Sequence, residues 1–80
     1  MHTKDDSDKQ AKIIQLAQRF ATNLRRHRLE QHLTQERLAE LAGIDPRYYQ
    51  KIEQGRSVPT VTYAYLLAEA LNTSVDSLLQ

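Results

Sequence analysis

Helix-capping residues near the middle of the chain constrain the fold more than any other sequence feature. The hydroxyl of Thr34 can accept a hydrogen bond from the backbone N–H groups that follow it, which predicts a helix start. Gly43 can adopt the left-handed conformation that ends many helices. Asp45 is a second capping residue, and Pro46 suits a first helical position because that position needs no N–H donor. The predicted helices span residues 35–42 and 46–53.

Apolar residues in the rest of the chain recur every three or four positions, which indicates further helices. A first helix is predicted from about Lys9 to about Gln31 along one apolar stripe. The members of this stripe are Ile13, Leu16, Ala17, Phe20 and Leu24. Thr60 and Ser74 are the predicted caps of a fourth helix and of a short fifth helix. No segment alternates as a strand does, so the predicted fold class is all-α, a compact five-helix bundle.

The polar start of the chain indicates where the folded domain begins and where in the cell the protein is expected. Residues 1–8 show no apolar periodicity and are predicted to be a disordered tail, which leaves residues 9–80 as one small domain. The start does not resemble a signal peptide, and no apolar run approaches the length of a membrane span. We therefore expect a cytoplasmic protein.

Reactive residue types do not form a catalytic or metal-binding pattern. The chain contains no cysteine, which excludes disulfides, thiolate zinc sites and cysteine nucleophiles. It contains only two glycines, too few for a phosphate-cradling loop, and no Ser, His and Asp arrangement beyond chance. His27 and His32 are five residues apart and do not share a helical face. We expect no enzymatic activity, no cofactor and no metal.

Charge is distributed unevenly along the chain although the formal net charge is only +1. Residues 19–56 carry eight Arg or Lys against five Asp or Glu. In residues 57–80 the only charged residues are Glu69 and Asp76. A basic middle beside an acidic end is typical of a protein with one face for an anionic partner, although a solvated charged face produces the same pattern.

Two helices of about eight residues, joined by a short turn that contains one glycine, form the helix-turn-helix arrangement. In DNA-binding examples the second helix lies in the major groove and the first crosses the backbone. Arg47 can donate two hydrogen bonds to a guanine edge, and Lys51 lies one turn further along the same face.

The chain resembles the helix-turn-helix domain of phage repressor and Cro proteins over about residues 18–80. The matching residues are Arg28, Leu33, Thr34, Gln35, Leu38, Ala39, Gly43, Ile52, Glu53, Gly55 and Pro59. The resemblance implies double-stranded DNA as the partner. It implies base contacts by Asp45, Pro46, Arg47 and Lys51. It implies phosphate contacts by Thr34, Gln35, Tyr48, Gln54 and Arg56. It also implies a structural ion pair between Arg28 and Glu53.

Three residues depart from the usual pattern of that family. His32 stands where glycine is usual, so either a left-handed histidine strains the backbone or the first helix runs longer. His27 stands where an aliphatic residue is usual, so its imidazole either points outward or is packed and neutral. Tyr49 replaces a buried aliphatic residue, and its hydroxyl needs water or a protein partner.

The resemblance implies a homodimer on a two-fold operator, with half-sites one helical turn apart. Val75, Leu78 and Leu79, in the segment that lacks Arg and Lys, are the first candidate dimer surface, and the long first helix is the second. The function indicated is a sequence-specific DNA-binding transcriptional regulator, a small dimeric repressor with helix 45–53 in the major groove. One alternative is an antitoxin or protein-interaction adaptor with residues 1–12 as its partner-binding segment. The other is non-specific DNA or RNA binding.

Overall fold

The structure is a computed structural model that describes residues 3–80, with side chains described from Asp6 onward. Its helices are α1 Thr3–Glu30, α2 Gln35–Ala42, α3 Pro46–Glu53, α4 Val61–Ala70 and α5 Val75–Leu78. Residues 3–80 contain no strand, so the predicted all-α, five-helix fold is confirmed. No helix within this range is both long enough and apolar enough to cross a membrane.

Helix α1 starts earlier than the sequence predicted. It begins at Thr3, whereas the apolar stripe indicated a start near Lys9. The sequence predicted a disordered tail over residues 1–8; the structure describes residues 3–8 as part of α1, and residues 1–2 lie outside the described range. The segment TKDDSDKQ has no Gly or Pro to interrupt a helix, and its start carries acidic residues that favour a helix N-terminus. Such a segment can be helical without an apolar face.

The predicted caps are present and fix where the helices start. Thr34 Oγ1 accepts a hydrogen bond from the Arg37 backbone N–H at 3.0 Å, and Asp45 Oδ1 accepts one from the Arg47 backbone N–H at 2.8 Å. Thr60 and Ser74 cap α4 and α5 in the same way. The predicted bounds of α2 and α3 are confirmed.

Four helices end in the same left-handed turn. After α2 and α3 the left-handed residue is glycine, with φ of 71° at Gly43 and 73° at Gly55. After α1 and α4 it is His32 and Asn72, both with φ of 57°. At Gly43 the backbone N–H bonds to Glu40 O, and the following N–H bonds to Ala39 O. This hydrogen-bond pair satisfies carbonyls that the helix end would otherwise leave free.

The core is formed by side chains from all five helices. Seven large residues are almost completely buried: Leu24, Leu38, Tyr49, Ile52, Leu67, Leu71 and Leu78. Helix α3 packs on α1 and α2, while α5 folds back onto α1 and α4. Asn23 of α1 secures the chain end, because its amide donates to the carbonyl oxygens of Leu78 and Gln80, both at 3.0 Å.

Burial of Leu78 corrects one prediction. Its side chain is 0% exposed within a single chain, so Leu78 cannot contact a second copy and does not belong to a dimer surface. Val75 and Leu79 are half-buried and remain available at the surface.

Candidate nucleic-acid interface

Helix α3 buries one face and exposes the other. Tyr49, Ile52 and Glu53 point into the bundle, whereas Arg47 and Lys51 are exposed one turn apart. The apolar spacing of α3 dictates this orientation, because residues three and four apart share a helical face. Two cationic side chains of different geometry therefore project from the same side of a short, rigid helix.

Asp45 and Pro46 lie exposed at the start of α3. The Asp45 carboxylate is engaged as the helix cap, with its Oδ1 accepting from the backbone N–H of Arg47. One carboxylate oxygen is used by the cap, and the other remains available to a base edge. Pro46 presents only apolar atoms, which suit contact with a thymine methyl group.

A buried carboxylate fixes how α3 sits on the rest of the bundle. Glu53 Oε1 accepts hydrogen bonds from Arg28 Nε at 2.8 Å and from the Tyr49 hydroxyl. Glu53 Oε2 accepts from Arg28 Nη2 at 3.1 Å and from Gln35 Nε2 at 2.6 Å. Arg28 Nη1 also donates to Leu33 O at 2.8 Å. We call Arg28, Gln35, Tyr49 and Glu53 the Glu53 network; it joins α1, α2 and α3.

The predicted ion pair between Arg28 and Glu53 is thus present, and it lies inside the protein. Burial alone would raise the pKa of Glu53, but the hydrogen bonds from Arg28, Tyr49 and Gln35 and the charge of Arg28 lower it below its ordinary value. Burial and the bonded carboxylate together raise the pKa of Tyr49. At neutral pH the network therefore holds a carboxylate, a guanidinium and a neutral phenol.

Gln35 and Gln50 connect this network to the surface. Gln35 lies at the first position of α2, where a helix N-terminus attracts phosphate, but its side-chain amide also donates to Glu53. Gln50 is exposed on α3, and its Nε2 approaches Gln35 Oε1 at 3.4 Å. The sequence predictions missed Gln50, although its position three residues after Arg47 could have placed it on the same face.

The other predicted phosphate contacts surround α3. Thr34 is exposed and caps α2, while Gln54 and Arg56 are exposed beyond the end of α3. Arg56 Nη1 donates to Gln54 Oε1 at 3.2 Å. Tyr48 is half-buried, and its ring packs edge-on against Tyr63 with centroids 5.3 Å apart. That contact fixes the Tyr48 ring at the border between the core and the surface.

The structure shows where the three residues that depart from the family pattern lie. His32 is left-handed with φ of 57°, so of the two sequence alternatives the strained histidine is correct. Tyr49 is 0% exposed, and its hydroxyl finds its partner in Glu53. His27 is half-buried near the end of α1.

Comparisons with known proteins agree with this geometry. The helix-turn-helix family model matches residues 24–78. Control protein C.SmaI of Serratia marcescens is 40% identical over 60 residues, which cover 75% of this chain and 71% of the relative. The crystal structure of the restriction-modification controller protein C.AhdI from Aeromonas hydrophila has a TM-score of 0.74 at 32% identity, covering 78% of this chain and 94% of that one. The hypothetical transcription factor NHTF from Neisseria has a TM-score of 0.78 at 29% identity, covering 81% and 75%.

Two capped helices around Gly43, with cations on the outer face of the second, define a helix-turn-helix protein. The chain belongs to the helix-turn-helix family of repressor and Cro-like regulators, and it is a DNA-binding transcription regulator.

Proposed function

We propose that the protein binds a two-fold operator as a homodimer and places α3 of each copy in the major groove. The observation that carries this proposal is the exposure of Arg47 and Lys51 on one face of a helix whose opposite face is anchored by the Glu53 network. Arg47 reads a guanine through its two-donor fork, and Lys51 reaches a second base one turn away. Asp45 and Pro46 contact bases at the start of the helix.

Phosphate contacts on both sides of α3 set the register on the duplex. Gln35 binds phosphate through its backbone N–H at the α2 N-terminus while its side chain stays on Glu53. Thr34 and Tyr48 contact the backbone through their hydroxyls, and Gln54 and Arg56 contact it beyond α3. These contacts provide affinity without sequence preference.

Specificity energetics favour a dimer. One short helix reads three or four base pairs, each worth about 1–3 kcal/mol, which is insufficient to select one site from a genome. Two copies on a two-fold site double this discrimination, with half-sites one helical turn apart. Binding near a promoter then represses transcription by restricting polymerase access.

Similarity rather than geometry supports a proposal about the regulated genes. C.AhdI, which this chain resembles over most of its length, is a restriction-modification controller protein. We propose that this protein controls restriction-modification genes.

Selection of bound sequences from random DNA tests the proposed function. We expect two inverted half-sites with centres about 10 base pairs apart. Enrichment of a single half-site, or of no sequence at all, would contradict the dimeric operator. An absence of enriched sequence together with tight binding to a protein partner would support the adaptor or antitoxin alternative instead.

A further inference from the structure

An apolar groove lies between α1, the connection from α3 to α4, and α5. Its volume is about 200 Å³, and its lining includes Leu16, Phe20, Val58, Val61, Val75 and Leu79. Val61, the first residue of α4, is 86% exposed. A groove of this size accommodates about one or two aliphatic side chains of a partner. The surface area buried by so few side chains is smaller than the area of about 800 Å² per partner that a stable interface buries.

The first turns of α1 extend the same apolar surface beyond the groove. We call residues 6–16 of α1 the arm; every residue in it is exposed. Ile13 is 48% exposed and Leu16 is 43% exposed, and they continue the stripe whose later members, Ala17 and Phe20, are buried. The molecule measures 47 Å along its longest axis against 23 and 19 Å, as expected for a helix of 28 residues that projects from a small bundle.

The arm is a feature of this chain that the family model does not include, because the model matches only residues 24–78. An exposed apolar surface that combines a groove with a projecting helix is expected to be covered by a partner. The arm and the groove meet at Leu16, so they form one continuous patch. A two-fold interface uses the same patch on both copies, and here each copy offers both a projection and a recess.

Charge complementarity favours a second copy as the occupant. The arm carries Asp6 and Asp8 as well as Lys9 and Lys12, but the two lysines lie one turn before Ile13 and Leu16 respectively, so they share a face with its exposed apolar residues. On α5, exposed Asp76 lies between the half-buried groove residues Val75 and Leu79. Residues 57–80, which supply six of the nine residues that line the groove, contain no Arg or Lys.

We propose that the arm of each copy seats on the apolar groove of the other, with Ile13 and Leu16 against the groove and Lys12 beside Asp76 of the second copy. This inference deepens the proposed dimer and rests on that proposed function. It assigns both candidate dimer surfaces, the C-terminal segment and the long first helix, to a single reciprocal interface. The interface leaves Arg47 and Lys51 uncovered.

Sedimentation equilibrium of the full chain without DNA tests the interface. Ile13→Ser on the arm and Val61→Ser on the groove should each weaken dimerisation about tenfold or more, because each removes an aliphatic side chain that the proposed interface buries. Leu41→Ser is the matched control, since Leu41 is 46% exposed on α2, outside the groove, and should leave the dimer unchanged. Ile and Ser have similar helix propensities, and circular dichroism verifies that each variant is folded.

A charge exchange tests where the arm lies. Lys12→Glu and Asp76→Lys should each weaken the dimer, and the double variant should recover at least part of the lost affinity. Additive losses among variants that circular dichroism shows to be folded would overturn the placement of Lys12 beside Asp76.

A wild-type chain that is monomeric without DNA, or an Ile13→Ser dimer as tight as the wild type, would overturn the inference. A loss caused equally by Leu41→Ser would also overturn it. The outcome is separable from that of the proposed function, because sedimentation uses no DNA. A chain that lacks this dimer but selects a two-fold operator refutes only the arm, whereas a stable arm-dependent dimer that selects no sequence refutes only the operator.

Discussion

Each oxygen of the Glu53 carboxylate accepts two hydrogen bonds. The four donor atoms belong to three side chains, those of Arg28, Gln35 and Tyr49. A buried carboxylate is costly unless its charge is paired and its lone pairs are satisfied. Arg28 supplies the opposite charge, while Gln35 and Tyr49 fill the remaining acceptor sites. No described side-chain nitrogen or oxygen that is buried lacks a partner. The network therefore fixes the relative positions of α1, α2 and α3 at little net penalty.

Removing the Tyr49 hydroxyl should destabilise the fold without changing the shape of the core. Tyr49→Phe keeps the buried ring but leaves Glu53 one donor short, which should lower the free energy of unfolding by about 1–3 kcal/mol. Urea denaturation measures the change. Tyr65→Phe is the matched control, because Tyr65 is 57% exposed and should have almost no effect. Equal stability of Tyr49→Phe and wild type would show that the hydroxyl contributes nothing.

Glu53 should also make stability depend on pH. Its pKa in the folded chain is lower than its ordinary value of 4.5, so the folded state favours the ionised form. The stabilisation that ionised Glu53 provides is complete above the pKa of Glu53 in the unfolded chain. It is lost as the pH falls through the lower pKa that Glu53 has in the folded chain. Glu53→Gln should be less stable than wild type at neutral pH, and this difference should shrink in acid. A difference that stays constant from neutral pH to about pH 3 would contradict the ionised network.

At the scale of elements, the sequence specified α2 and α3 because their signals are local. Thr34, Gly43 and Asp45 act on the backbone within a few residues, so the helix bounds follow from residue type. The Glu53 network was only partly predictable. The Arg28 pair followed from a family resemblance, but the bond from Gln35 depends on how α2 approaches α3. Likewise Leu78 resembles a surface residue until α5 is seen to fold back onto α1.

The left-handed ends of α1 and α4 provide a stability test at this scale. His32 and Asn72 share the same φ of 57°, but asparagine tolerates this region better than other non-glycine residues. His32→Gly should raise the free energy of unfolding by about 0.5–1 kcal/mol. Asn72→Gly, the internal control, should raise it less. Thermal denaturation measures both, and a larger gain at Asn72 would contradict the assignment of strain to His32.

At the scale of the whole molecule, two surfaces with different chemistry share one small bundle. Arg47 and Lys51 lie on the exposed face of α3, while the apolar groove lies between α1, the connection from α3 to α4, and α5. Separate surfaces allow the proposed dimer to form without covering the helix that is proposed to read DNA. The sequence indicated this division through its uneven charge and predicted the helix from about Lys9, but not the first turns of α1 before Lys9, because the polar residues there carry no periodic signal.

Salt dependence should separate the two kinds of DNA contact. Arg56→Ala removes one proposed phosphate contact per copy, so affinity for all sequences should fall and the salt slope should decrease by about one per copy. Fluorescence anisotropy over a range of salt concentrations measures the slope. An unchanged slope would remove Arg56 from the phosphate contacts.

The ratio of affinities for the selected operator and for unrelated DNA shows whether α3 reads bases. Arg37→Ala serves as the control, because Arg37 is exposed on α2 and paired with Glu40 at 2.8 Å. If α3 reads bases, Arg47→Ala should lower this ratio by about tenfold or more per half-site and leave binding to unrelated DNA nearly unchanged, whereas Arg37→Ala should preserve the ratio. A ratio that stays the same in Arg47→Ala, or an equal loss of affinity for both DNAs, would contradict base reading by α3.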